Sequence, residues 1–233
     1  MNTLLKQAQN LFTNCSFPYY ICGGFALELY AEDSWRAHSD LDISTFYDYK
    51  EEIVEFLLEN DWKVYKKIPA EVGYQAKLIA DSKDKNLENG RVLWALKDDY
   101  TPQPQPVENS ENTYQFFFET TTNQTALNFI EVVFDELDVD SFVLNKEKSI
   151  TRTLDKAILF KENLPYLAPE IVLFLKSNEV YMNHEFHTKK TPIDFNKMIP
   201  LLTDAQLEWL RDSLEKNYPD GFDWLGEWFQ RGE

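Results

Sequence analysis

The chain has 233 residues, 43% of them hydrophobic and 15% aromatic, enough for one large core or two modest ones. Its formal net charge of -17 excludes a broad electrostatic grip on DNA or RNA, which needs Lys and Arg set against phosphates, so nucleic acid is not an expected partner. The same charge keeps a surface solvated and would favour a small cationic substrate. Cys15 and Cys22 are the only cysteines, too few to staple a protein of this size, which points to a reducing, cytoplasmic setting. No run approaches the roughly 18 uninterrupted apolar residues of a membrane span, and a membrane partner is not expected either.

In chain order, Leu4, Leu5, Ala8 and Leu11 recur at helical spacing, an amphipathic helix rather than the continuous apolar stretch of a signal peptide. Tyr19 to Cys22 reads as a short strand running into Gly23-Gly24, after which Phe25, Ala26, Leu29 and Tyr30 restart a helical pattern. A strand is expected at Asp40 to Ile43. Glu51 to Asn60 follows as a helix with Ile53, Val54, Leu57 and Leu58 along one stripe. Strands are expected at Trp62 to Tyr65, Tyr74 to Ala80 and Arg91 to Leu96. Pro102, Pro104 and Pro106 mark an exposed loop, because proline lacks the N–H donor that a sheet or helix uses. Tyr114 to Glu119 and Ala126 to Phe134 read as a strand pair joined by the polar turn at 120–124.

Near Thr151 the pattern becomes mainly helical. Pro169 suits the first position of a helix containing Ile171, Val172 and Leu175, and Thr191-Pro192 can open another. Thr203 to Gln206 fits a capping box ahead of Leu207, Leu210 and Leu214. The expected architecture is α+β: a mixed-sheet domain over residues 1–150 and a smaller helical domain over 151–233.

Two motifs carry chemistry. A strand through Asp40-Leu41-Asp42-Ile43 has a period of two, so Asp40 and Asp42 share a face and Leu41 and Ile43 the other. Adjacent carboxylates repel, and a magnesium ion held by hard oxygen ligands relieves that repulsion. Gly23-Gly24 before a helix lets backbone approach a phosphate closely, and helix N-terminal amides attract it. A third carboxylate, Glu131, stands alone in an apolar strand, where leaving it unpaired is costly. It is either part of the same site or the partner of a cation such as Arg152.

On Gly23-Gly24-Phe25-Ala26, Arg36 to Ile43, Phe129-Ile130-Glu131-Val132, and Tyr166 to Glu170 followed by Lys176, the chain resembles the polymerase-β-like nucleotidyltransferases. Within them it is most similar to the aminoglycoside and lincosamide adenylyltransferase-like proteins. The matches occur in the family's order and span most of the chain. The resemblance implies a nucleotidyltransferase domain followed by a helical domain, with substrate in the cleft between them. It implies Mg²⁺ at Asp40 and Asp42, Glu131 as the third acidic ligand and candidate base, and Gly23 and Gly24 on the triphosphate of ATP or another nucleoside triphosphate. The acceptor would be a small hydroxyl-bearing molecule. Phe25 replaces a serine that polymerase-type members use for phosphate, so Arg36 and Lys176 become the basic candidates. Lys190-Thr191 before Asp194-Phe195 matches the family only in part.

Other constellations read as structural. His184-Glu185-Phe186-His187 lacks the histidine spacing of a zinc helix. Phe116 to Phe118 reads as core and sheet surface, and Trp209, Trp224 and Trp228 as packing for the last helices. The expected activity is transfer of AMP from Mg-ATP to a hydroxyl of an aminoglycoside or lincosamide. Two alternatives share the fold: a non-catalytic nucleotide-binding or regulatory module, and an enzyme that modifies a protein.

Overall fold

The computed structural model describes residues 2–70, 73–118, 125–145, 147–177 and 190–219. The chain begins with α1 (Thr3–Phe12), β1 (Tyr20–Ile21), α2 (Gly23–Ala31), β2 (Leu41–Phe46) and α3 (Lys50–Glu59). It continues through β3 (Lys63–Ile68), β4 (Tyr74–Ile79), β5 (Val92–Leu96), β6 (Gln105–Pro106), β7 (Thr113–Phe116) and β8 (Phe129–Asp138). Then come β9 (Ser141–Val143), β10 (Thr151–Thr153), α4 (Leu154–Ala157), β11 (Ile158–Lys161), β12 (Leu164–Leu167) and α5 (Pro169–Lys176). Helices α6 (Lys190–Met198) and α7 (Asp204–Asn217) complete the described elements. No described helix is long and apolar enough to cross a membrane.

Two compact units emerge, one of residues 1–21 with 36–137, the other of 22–35 with 138–233. This division differs from the 1–150 and 151–233 reading chiefly in the place of α2.

In the first unit the strand order is β1-β2-β8-β5-β3-β4-β7-β6. Every neighbouring pair in it is antiparallel except β2 and β8. The segments 114–119 and 126–134 are therefore not partners, because β8 is flanked by β2 and β5 while β7 lies beyond β4. Pro106 does enter the sheet, but in β6 at the end of the strand order, where a missing donor is tolerated. Helix α1 forms because Leu4, Leu5, Ala8 and Phe12 fall on one buried stripe, and Asn2 caps it by accepting the Leu4 N–H at 2.8 Å. Helix α3 buries Ile53, Val54 and Leu57 and places Glu51 and Glu52 in its first turn, where the helix dipole favours them. One aromatic cluster in this unit gathers Tyr65, Trp94, Tyr100, Phe116 and Phe129.

The second unit contains more strand than its sequence suggests. β11 and β12 form a hairpin with Lys161 paired to Leu164, and Glu162 and Asn163 both have positive φ, 49° and 64°. That is the two-residue turn whose twist suits a hairpin. The asparagine alone was too weak a signal in a segment dominated by helical spacing. Pro169 occupies the first turn of α5, and the Thr203 capping box is present with both reciprocal bonds. Trp209 donates its indole N–H to the Thr151 carbonyl at 3.0 Å, so it does hold a helix in place. His184 to His187, Trp224 and Trp228 lie outside the described residues.

At the start of α5, Glu170 is fully buried and accepts from Arg152 at 2.7 Å and from the Gln206 amide at 2.9 Å. Removing the cation should leave a buried charge unpaired. Arg152→Met is expected to destabilise the protein by about 3–5 kcal/mol in chemical denaturation, and Arg152→Met combined with Glu170→Met to recover most of that loss.

Candidate active site

The sheet register of the first unit assembles the acidic group. Asp42 pairs with Glu131 across the parallel β2–β8 ladder, and Trp94 pairs with Glu131 across the antiparallel β5–β8 ladder. Directly paired residues project from the same face, so three neighbouring strands present Trp94, Glu131 and Asp42 in a row. Asp40 sits just before β2 rather than within it. Its charge still reaches Glu131 and contributes to an upward shift of that carboxyl's pKa.

Glu131 is partly buried, and burial is the largest cause of its raised pKa. The Lys67 ammonium and a hydrogen bond from the Trp94 indole oppose the shift. That bond runs from Trp94 Nε1 to Glu131 Oε2 at 2.6 Å. Arg152 is not its partner; that guanidinium belongs to Glu170 in the second unit. Among the described residues Glu131 forms no salt bridge, and its other oxygen receives no hydrogen bond. Two positions along the same face of β8 from Val133, Asp135 is almost fully buried and accepts from Ser44 Oγ at 3.0 Å.

Arg36 curls along its own loop, its Nη1 3.3 Å from the Ala37 carbonyl and 3.3 Å from His38 Nδ1. His38 is buried.

In the second unit, Gly23 begins α2 with φ of 60°, a left-handed conformation that an L side chain adopts only under strain. Cys22 is the N-cap and makes no side-chain cap bond. Cys22 itself is buried, as its apolar flanks suggest. Lys176 ends α5 with its ammonium 3.1 Å from Asp194, a fully buried carboxylate that also accepts the Trp35 indole N–H at 2.9 Å.

Residues 4–81 match the sequence profile of the family described as aminoglycoside-2''-adenylyltransferase. No curated relative matches the sequence. The crystal structure of ANT(2'')-Ia in complex with adenylyl-2''-tobramycin is similar over 93% of this chain and 97% of that chain, with a TM-score of 0.52 at 10% identity. The solution structure of the antibiotic-resistance factor ANT(2'')-Ia is similar over 94% of this chain and 92% of that chain, with a TM-score of 0.51 at 10% identity. The lincomycin-bound lincosamide adenylyltransferase LnuA covers 83% of this chain and 96% of its own, with a TM-score of 0.45 at 12% identity. The chain shares the α+β fold of the ANT(2'')-Ia structures, the polymerase-β-like fold that the sequence resemblance implies.

The adenylyltransferase-like profile over 4–81 takes in Gly23, Gly24, Arg36, Asp40 and Asp42, and ends before Glu131 and Lys176. The register is what links Glu131 to Asp42. Sequence pattern alone does not single out Trp94, one more apolar strand residue, or Lys67, a charge in a strand; the β5–β8 pairing sets the tryptophan against Glu131. The Lys67 ammonium lies 5.3 Å from the Trp94 ring centre and 5.9 Å from that of Tyr74. Burial and the Glu131 charge both push the Tyr74 hydroxyl pKa upward.

A carboxyl whose folded pKa is raised holds its proton more tightly in the native state, so its ionisation costs stability as pH rises through that pKa. In metal-free protein at neutral pH, Glu131→Gln should therefore raise stability by about 1 kcal/mol, or about 2–4 °C in Tm. The Gln amide oxygen can still accept from Trp94. The advantage should shrink as pH is lowered and the native carboxyl takes up its proton; a thermal melt series across pH measures this.

Proposed function

We propose that the protein transfers AMP from Mg-ATP to a hydroxyl of a small antibiotic, an aminoglycoside or a lincosamide. The observation that carries this reading is the pairing of Asp42 with Glu131 across β2 and β8, with Asp40 at the entrance of β2. The family profile over residues 4–81 is that of aminoglycoside-2''-adenylyltransferase, and one similar structure contains adenylyl-2''-tobramycin. The net charge of -17 suits a polycationic acceptor through long-range steering. The lincosamide option rests on the sequence resemblance. Cys15 and Cys22 are not in a disulfide, which fits a cytoplasmic enzyme.

The donor set fits magnesium. Asp40, Asp42 and Glu131 offer only hard carboxylate oxygens; His38, two residues before Asp40, is buried with its Nδ1 3.3 Å from Arg36 Nη1. Among the described residues, no three His, Cys, Asp or Glu side chains form a ready-made metal cage. Magnesium is usually held by one or two carboxylates, with water and substrate phosphates completing its shell. Asp40 and Asp42 would hold it, with Glu131 as the third acidic position. When bound, magnesium neutralises phosphate charge and lowers the pKa of an acceptor hydroxyl.

The remaining roles belong to the chain. Gly23 and Gly24 would present backbone amides to the triphosphate at the uncapped end of α2. Arg36 and Lys176 are the side-chain candidates for phosphate, Lys176 with one of its donors already on Asp194. Glu131 would accept the proton of the acceptor hydroxyl at its uncommitted oxygen. The acceptor oxygen then forms its bond to the α-phosphorus as the bond to the pyrophosphate oxygen breaks, and pyrophosphate leaves.

Pyrophosphate release with ATP and a panel of aminoglycosides and lincosamides tests this directly. Turnover should appear with at least one acceptor and fall by about a thousandfold in Asp42→Asn, on the scale of losing a principal electrostatic contact. Equal rates in wild type and Asp42→Asn, or no turnover with any acceptor, would sink the proposal.

A further inference from the structure

We propose that Trp94 is a positioning residue for Glu131: its indole N–H tethers one carboxylate oxygen and leaves the other for the reaction. The inference rests on the reading of Glu131 as the third acidic residue of the site, and it deepens that reading.

The geometry has three parts. Trp94 and Glu131 are direct partners in the antiparallel β5–β8 pairing, so their side chains leave the sheet together. The Nε1–Oε2 distance of 2.6 Å is short for an N–H donor, as expected when the acceptor is charged. The remaining oxygen receives no hydrogen bond among the described residues. Glu131 is half-buried and this oxygen is not a buried, unsatisfied atom, so it is open to solvent and to a metal or an acceptor hydroxyl.

The donor is also rigid. Trp94 is 1% exposed, and its ring is fixed by Phe116 at 4.7 Å and Phe118 at 5.2 Å between ring centres. The Lys67 ammonium stands over the ring at 5.3 Å, an arrangement that attracts a cation to the face of an indole. A tryptophan so enclosed cannot turn its N–H elsewhere, so the direction of the Glu131 carboxylate follows from packing on the β5 side. Asp42 lies on the opposite flank of Glu131, on β2. Supporting residues of this kind typically change metal affinity or activity by about 10–100-fold when removed.

The test is a double-mutant cycle read by calorimetric titration of Mn²⁺ in the presence of a non-hydrolysable ATP analogue, so that it does not depend on finding the acceptor. Trp94→Phe keeps the aromatic packing and deletes the donor. It should weaken Mn²⁺ binding by about 10-fold or more in the wild-type background and have no further effect beside Glu131→Ala, which removes the acceptor, because the two side chains act as a unit. Site-specific replacement of Trp94 by benzothienylalanine, which puts sulfur in place of the N–H at nearly constant shape, should reproduce the loss even where Trp94→Phe folds poorly. Unchanged Mn²⁺ affinity in both Trp94 variants, with Glu131→Gln still weakened, would overturn the positioning role while leaving the carboxylate site standing. Effects of Trp94→Phe and Glu131→Ala that simply multiply would overturn it too, since they would mark a general packing defect. Equal Mn²⁺ binding by wild type and Glu131→Gln would remove the carboxylate site itself and the positioning role with it.

Discussion

The register between β2 and β8 is the constraint on which the rest of the candidate site depends. A one-residue slip of β8 would turn Glu131 to the opposite face and bring Ile130 or Val132 into its place beside Asp42. The slip is prevented by the apolar half of the same strand. Ile130, Val132 and Phe134 are buried on one face, and Leu41 and Ile43 of β2 are buried beside them. The hydrophobic pattern that holds the sheet thus also fixes which carboxylates are neighbours.

Glu131, half-buried in the first unit, is compensated differently from two fully buried acids of the second. In the second, Glu170 has Arg152 and Gln206, and Asp194 has Lys176 and Trp35; each carboxylate has a cation and a neutral donor. In the first, Glu131 has one neutral donor, with Lys67 acting on it only through its field. Fully compensated acids stabilise a particular packing, as the Tyr166 to Glu170 block does at the start of α5. An acid left half-compensated is held in a state that a cation or a proton would relieve, which is the condition expected of a ligand or base.

Much of this was legible from residue patterns. The stripes of α1 and α3, the proline of α5 and the Thr203 capping box follow from local rules, since each depends on residues within a turn or a strand of one another; Asp40 and Asp42 are a local pair too, but Glu131 stands beside Asp42 only through the β2–β8 register. The pairing of strands was harder. Nothing local distinguishes a β7–β8 hairpin from the observed arrangement, in which β8 is flanked by β2 and β5, because parallel pairing joins segments far apart in sequence. The role of Trp94 was hidden for the same reason: an indole in an apolar strand looks like core until its cross-strand partner is known. The β11–β12 hairpin was missed because Glu162 is an unusual residue for positive φ.

Helix α2 shows how sequence position and packing can part company. It belongs to the second unit, where it lies against α5 and α6, although it is made long before either of them. A fragment ending near residue 150 would include Phe25, Ala26, Leu27 and Leu29 without those partners, and these side chains are almost wholly buried in the native chain. Such a fragment would carry a sticky, unsupported helix in its middle. Neither unit can be obtained by a single cut, and during synthesis the helix that begins at Gly23 has to wait for the C-terminal helices before its apolar face is covered.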